Sequence, residues 1–199
     1  SNLYRALQLV QAATRGTLAR EIAEEGGMSS ALWSGRRRAD KPARIRLETE
    51  LLDEERAITF RYRIEAGLRP PLAAAGFAYE PQVKEEELTV ETGRRPVTMM
   101  KRSGPGIFVR GERGRMEDYP EQALTSETAI SLLGDAGHYP EVGTFRRAVD
   151  QWRFFHGFRT DRDSPLRSPC LAVTAPMLDE TGVNMAAVFA TLRHTRQDT

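Results

Sequence analysis

The spacing of apolar residues changes period twice along this 199-residue chain. Over residues 3–24 apolar side chains recur every three or four positions, which predicts one long amphipathic helix ending at Gly26-Gly27. Over residues 43–110 they recur at every second position, which indicates strands with one buried and one solvated face. From about Thr125 the helical period returns. The order of helix, strands and helices favours an α+β fold.

The middle of the chain is predicted to be an antiparallel meander. Its alternating segments are separated by short polar or glycine-containing stretches, as expected for hairpin turns. These stretches are Asp53-Glu54-Glu55, Thr92-Gly93 and Ser103-Gly104-Pro105-Gly106. The last of them has neither a Lys-Ser pair nor a following helix, so it is interpreted as a turn and not as a phosphate loop.

The regions around the meander are predicted from the same signals. Residues 26–42 are rich in glycine, serine and arginine, which indicates a loop with room for one short edge strand. Helices are expected over residues 126–133 and 141–152, followed by an aromatic run that is expected to be core. A last helix is expected after Asn184 as its N-cap, with a buried stripe formed by Met185, Val188, Phe189 and Leu192.

Composition and charge exclude several classes of protein. The 29 basic and 28 acidic side chains give a net charge of +1, so no overall bias favours nucleic acid or an anionic membrane. Because Cys170 is the single cysteine, the chain has no internal disulfide framework or cysteine-rich metal site, and a reducing compartment is expected. No apolar run is long enough to span a membrane. These features predict a cytoplasmic protein without a membrane partner.

No complete catalytic motif is present, and composition and spacing alone name no activity. Two alternatives therefore stay open. One is a non-enzymatic β-rich domain that binds a protein or a nucleic acid through its sheet and exposed arginines. The other is a small hydrolase that uses His138 or His156 with a nearby carboxylate, for which Asp161 and Asp163 are candidates.

Both ends of the chain carry short motifs. Ser1-Asn2-Leu3 resembles the residues that complete the Walker A motif, in the form G-K-S-N-L, in RecF-like and SMC-like AAA ATPases whose nucleotide-binding head is of the ABC type. The second half is similar to a signature found in a group of bacterial predicted ATPases of this class. The matching segments are Tyr139-Pro140-Glu141, Trp152-Arg153-Phe154-Phe155, Ser164-Pro165-Leu166-Arg167 and Gly182-Val183-Asn184-Met185-Ala186-Ala187-Val188.

This resemblance implies a partial P-loop NTPase fold. Residues 1–118 would be the N-terminal part of the head, comprising the helix after Walker A and the antiparallel β-subdomain, and residues 119–199 would begin the helical lobe. Ser1 would ligate Mg²⁺, and Ser1 and Asn2 would contribute to ATP binding.

The resemblance also implies that the chain is a fragment, cut at both ends. The Walker A lysine and glycines, the signature motif and the Walker B carboxylates are not found in residues 1–199. We assign no catalytic residue and expect this chain alone to be inactive. The intact parent would hydrolyse ATP, form a head-to-head homodimer and act on DNA or a partner protein, in a role such as DNA repair or chromosome maintenance.

Overall fold

The computed structural model describes residues 2–32, 44–68, 77, 79–93, 95–133 and 137–197. The chain divides into two compact units, Ser1–Gln151 and Trp152–Thr199. Within the described ranges, no helix has both the length and the apolar character that crossing a membrane requires.

A six-stranded antiparallel sheet forms the centre of the first unit, with its strands in chain order. The strands are β1 (Arg44–Asp53), β2 (Ile58–Gly67), β3 (Gln82–Glu91), β4 (Val97–Ser103), β5 (Gly106–Arg110) and β6 (Met116–Asp118). The predicted meander and the α+β class are confirmed.

The turns lie where the sequence places them. Asp53 accepts a hydrogen bond from the backbone N–H of Arg56 at 3.1 Å and closes the β1–β2 turn. Gly104 adopts a positive φ of 60° in the β4–β5 turn, a conformation that favours glycine. The sequence pattern missed β6, which is three residues long and exposed. The alternation also predicts a strand from Phe77 to Glu91, but β3 begins at Gln82, and Phe77 and Tyr79 precede it and are exposed.

The N-terminal region forms three helices: α1 (Asn2–Arg15), α2 (Leu18–Glu24) and α3 (Gly27–Ala31). The prediction of one helix over residues 3–24 is therefore wrong. Gly16 interrupts it with a φ of +78°, and a Cβ at this position would lie 3.1 Å from Ser131. The interruption lets the chain turn back, so that α1 and α2 pack on each other. Residues 27–31 of the predicted loop form α3, and residues 33–43 lie outside the described residues.

Two further helices complete the first unit: α4 (Ala129–Leu132) and α5 (Pro140–Asp150). α4 is shorter than the predicted span of 126–133 because the preceding residues form a turn that is bonded to the sheet. Of the predicted apolar face of α5, Val142, Phe145 and Val149 are buried, whereas its fourth residue, Trp152, lies beyond the end of the helix and is half-buried.

The core of this unit lies between the inner face of the sheet and α1, α4 and α5. The ring of Phe145 on α5 stacks at centroid distances of 5.9 Å and 5.3 Å on Phe60 and Tyr62 of β2. Val10 and Ala13 on α1 are also buried here. Buried aromatic rings and aliphatic side chains supply most of the stabilisation of such a core, because each removes a large apolar area from water.

The second unit contains α6 (Met185–Gln197) and a long loop with a 3-10 turn at Pro165–Arg167. The predicted buried stripe of α6 is wrong in part, because Phe189 is 64% exposed and Leu192 is 50% exposed. The buried face instead contains Ala187 and Thr191, whose hydroxyl accepts from the N–H of Ala175 at 2.9 Å. Phe189 lies two residues after Ala187, so it points to the opposite side of the helix.

Candidate functional site

The N-terminal turn of α1 is where the sequence predicts nucleotide binding. Ser1 lies outside the described residues, and Asn2 is the exposed first residue of the helix. Leu3 is 73% exposed. The first turn contains no acidic side chain. The backbone N–H groups at this end have no partner within the helix, and the positive end of the helix dipole lies here. Arg5 in the same turn forms an ion pair with Glu25.

The other end of α1 is fixed in the core. Residues 9–14 are all buried, although they include the polar Gln11 and Thr14. The amide of Gln11 donates to the carbonyl of Val149 on α5 at 3.0 Å. The hydroxyl of Thr128 donates to the carbonyl of Ala13 at 2.6 Å. These bonds connect α1 to α5 and to the start of α4, so the helix has a defined position over the sheet.

A buried carboxylate holds α4 against the sheet. Glu86 on β3 is 1% exposed and accepts hydrogen bonds from the N–H groups of Ala129 at 2.6 Å and Ile130 at 3.0 Å. It also accepts from the hydroxyl of Tyr62 at 2.9 Å. The carboxylate thus satisfies N–H groups at the start of α4 that have no partner within the helix.

A buried guanidinium fixes the segment that precedes α4. Arg102 on β4 is 1% exposed and donates to the carbonyls of Gly104 at 2.7 Å and Leu124 at 2.9 Å. It also donates to the carbonyl of Glu127. Together Tyr62, Glu86 and Arg102 form what we call the buried polar cluster.

The ionisation of this cluster follows from its burial. Desolvation raises the pKa of Glu86, and its three hydrogen bonds and the charge of Arg102 oppose that shift. Desolvation raises the pKa of Tyr62 well above its ordinary value. The phenol therefore stays protonated and donates a hydrogen bond to Glu86. Because the side chains are occupied with one another and with backbone groups, the cluster is a structural element and not a reaction centre.

Residue type alone does not distinguish Glu86 from Glu85 and Glu87 beside it in the sequence. The feature that identifies Glu86 as buried is its place in the alternation of the strand. Glu86 shares its face of β3 with the buried Leu88, and Arg102 shares its face of β4 with the buried Met100. A charged residue in phase with the apolar residues of a strand points into the core.

The outer face of the sheet carries paired charges. Its arginines contact carboxylates on the neighbouring strand, as in the pairs Arg46–Glu65 at 2.6 Å, Arg61–Glu50 at 2.6 Å and Arg63–Glu87 at 3.1 Å. These pairs neutralise most of the positive charge with which a protein could bind phosphates, and Lys101 on β4 is an exposed cation outside them. The geometry therefore does not favour this face as a nucleic-acid interface.

A groove of about 760 Å³ lies beside α2. It is lined by small residues of α2 and the adjoining turns and by the exposed rings of Phe77 and Tyr79. Three charged residues line it: Arg20 bonds Glu24 at 2.8 Å, the carboxylate of Glu127 accepts from the N–H of Leu124 at 2.8 Å, and Glu80 is exposed. The groove offers shape and apolar surface but no arrangement of acid and base.

The hydrolase alternative involves His138 or His156 with a nearby carboxylate. His138 and His156 are exposed and lie in different units. The carboxylate of Asp161 is bonded by both nitrogens of the Arg159 fork at 2.8 Å, and this pairing lowers its pKa. Within the described ranges, no group of three or more histidine, cysteine, aspartate or glutamate side chains could hold a metal ion.

The signature segments of the second half build its loop. The hydroxyl of Ser164 accepts from the N–H of Leu166 at 3.2 Å and begins the 3-10 turn. The amide of Asn184 bridges the N–H of Asp179 at 2.8 Å and the carbonyl of Met177 at 3.0 Å. Asn184 precedes α6 as predicted, but its side chain bonds this loop and not the helix N–H groups. These residues have structural roles here.

Gly182 is the residue of this loop that is most sensitive to substitution. Its φ is +76°, and a Cβ would contact the side chain of Leu166 and approach Phe158 to 2.7 Å. We expect Gly182→Ala to destabilise the loop by about 1–3 kcal/mol, from backbone strain and displaced side chains. Hydrogen exchange of residues 159–184 measures the effect. Gly157→Ala is the matched control, since its Cβ meets nothing within 4 Å. Equal exchange in both variants would contradict the prediction.

No protein-family model, curated protein or solved structure matches this chain.

Proposed function

We propose that residues 1–199 form part of the ATP-binding head of an ATPase, in which the N-terminal turn of α1 faces the phosphates of the nucleotide. The observation that carries this proposal is the asymmetry of α1. In its first turn Asn2, Leu3 and Arg5 are exposed and no side chain is acidic, whereas residues 9–14 are buried.

A helix with this asymmetry suits an anion at its N-terminus. The first N–H groups of a helix have no partner within it, and the helix dipole adds a partial positive charge at the same end. Phosphate groups bind such ends readily. The hydrogen bonds of Gln11 and Thr128 fix the C-terminal half of α1. They would hold the first turn in position when it binds the negatively charged phosphates.

The residues at the start of α1 fit the two ligands that the resemblance implies. The hydroxyl of Ser1 would ligate Mg²⁺, which prefers oxygen ligands and keeps several waters when bound. Asn2 is exposed beside it and can reach a phosphate oxygen through its amide. The bound Mg²⁺ would neutralise charge on the phosphates during hydrolysis.

The rest of the first unit would act as the frame of this site. The buried polar cluster joins β2, β3 and β4 to α4, and Thr128 joins the start of α4 to α1. A movement of α4 would therefore reach α1 through one hydrogen bond. Dimerisation head to head and action on DNA or a protein partner belong to the same proposal.

The hydroxyl of Ser1 provides the test of activity. In the gene product that carries this sequence, we expect Ser1→Ala to lower the rate of Mg²⁺-dependent ATP hydrolysis roughly tenfold to a hundredfold, because a metal ligand is lost. Ser29→Ala is the control, as Ser29 is exposed on α3. The proposal is wrong if the gene product does not hydrolyse ATP, or if both substitutions leave the rate unchanged.

A further inference from the structure

In the part of the chain that the structure describes, one edge of the sheet is unpaired along a whole strand. β1 lies at the end of the sheet, and among the described residues no strand pairs with its outer edge. Natural edge strands are commonly short, bulged or interrupted by proline, which prevents further pairing. β6 at the opposite edge is three residues long. β1 has ten residues in continuous register with β2 and contains neither proline nor glycine.

The charged side chains of two β1 strands are complementary in one antiparallel register. Arg44, Arg46, Glu48 and Glu50 lie on its exposed outer face. If two copies of β1 pair antiparallel with Leu47 opposite itself, each of these arginines faces a glutamate of the second copy. A shift of two residues in either direction places Glu48 opposite Glu48 or Arg46 opposite Arg46, which is unfavourable. A shift of one residue places the charged face of one copy beside the apolar face of the other.

In this register the alternation of positive and negative side chains on the outer face continues from one sheet into the other. Arg46 contacts Glu65 of β2 at 2.6 Å. Glu48 lies opposite Arg63, which contacts Glu87 at 3.1 Å. Across the junction the order becomes Glu65 and Arg46 of one copy, then Glu48, Arg63 and Glu87 of the second copy. Within these five residues every neighbour has the opposite sign, and beyond them Glu65 lies opposite Glu85 on β3 of its own sheet.

The inner face of β1 is also suited to a second copy. Ile45, Leu47, Thr49 and Leu51 are only half-buried, although they lie on the side of the sheet that carries the helices. In the same register Leu47 meets Leu47, and Ile45 meets Thr49. Apolar area that one copy leaves in water would then be buried at the junction.

We propose that two copies of this chain associate through their β1 strands, forming one continuous antiparallel sheet about a two-fold axis at Leu47. The interface is isologous, since the same strand contributes from both copies. It needs no nucleotide, so it is independent of the proposed ATP site.

A register-specific crosslink tests this interface. In a Cys170→Ser background, Leu47→Cys places two cysteines directly opposite each other, at the Cα spacing of an antiparallel pair, which a disulfide can span. Thr49→Cys is the matched control on the same face. In the proposed register its two copies lie four strand positions apart, roughly 14 Å along the strand, so no disulfide should form. Mild oxidation should give a covalent dimer of the first variant only.

Charge reversal gives a second readout. We expect Glu48→Arg to raise the dissociation constant of the dimer roughly tenfold or more in sedimentation equilibrium, because it replaces two attractive cross-strand pairs by repulsive ones. Glu55→Arg changes the net charge equally but lies in the β1–β2 turn and should have little effect. A folded chain that sediments as a monomer overturns the proposal. Disulfide formation that is equal at positions 47 and 49 overturns it as well.

Discussion

Arg102→Leu is expected to lower the free energy of unfolding of the first unit by about 3–5 kcal/mol, the largest stability effect that we predict. The substitution removes the donor for the carbonyls of Gly104, Leu124 and Glu127. It also removes the positive charge that favours the ionised form of Glu86. Leucine fills part of the space, but it leaves buried polar groups without partners.

Urea denaturation measures this effect. Lys101→Leu is the matched control, because Lys101 is the preceding residue on β4 and is exposed on the outer face. Its substitution should change the free energy of unfolding by less than about 0.5 kcal/mol. If the two variants unfold at the same urea concentration, Arg102 does not have the role that its contacts indicate.

Glu86→Ala is expected to destabilise the same unit by about 2–4 kcal/mol. It leaves the N–H groups of Ala129 and Ile130 and the hydroxyl of Tyr62 without their acceptor. The start of α4 should open first, because its N–H groups lose the carboxylate that caps them. Hydrogen exchange at residues 128–133 should therefore increase before the exchange of the central strands.

Two comparisons make this prediction specific. Glu85→Ala removes the preceding carboxylate, which is half exposed, and should have a small effect. The double variant Glu86→Ala with Arg102→Leu should cost less than the sum of the single substitutions, because each removes a partner of the other. Strictly additive effects would show that the two residues stabilise the fold independently.

The sequence was sufficient to predict the meander and its turns. Alternation with period two and the glycine-containing turns are local signals, and β1 to β5 form where these signals lie. The break between α1 and α2 was not predictable in the same way. Glycine is tolerated within many helices, and neither the positive φ of Gly16 nor its close approach to Ser131, a residue far along the chain, is a local sequence signal.

The buried charges and the packing of α6 were also not predictable from local sequence signals. Glu86 has the same residue type as the exposed Glu85 and the half-buried Glu87, and only its phase relative to Leu88 distinguishes it. On α6 the apolar spacing suggested one stripe, but packing around Ala187 leaves Phe189 and Leu192 exposed. In both cases the deciding contacts are tertiary. The predicted site at Ser1 and Asn2 depends on the motif resemblance, and to it the structure adds the exposed, acid-free first turn of α1.

The most direct test of the ATP-binding proposal is hydrogen exchange of the gene product with and without Mg²⁺-ATP, followed by mass spectrometry. Nucleotide bound at the N-terminal turn of α1 should protect the backbone amides of residues 2–9, and Ser1→Ala should weaken that protection. The backbone amides of the edge strand β1 should exchange at the same rate with and without nucleotide. Protection confined to the groove beside α2, or no protection at residues 2–9, would contradict the proposed function.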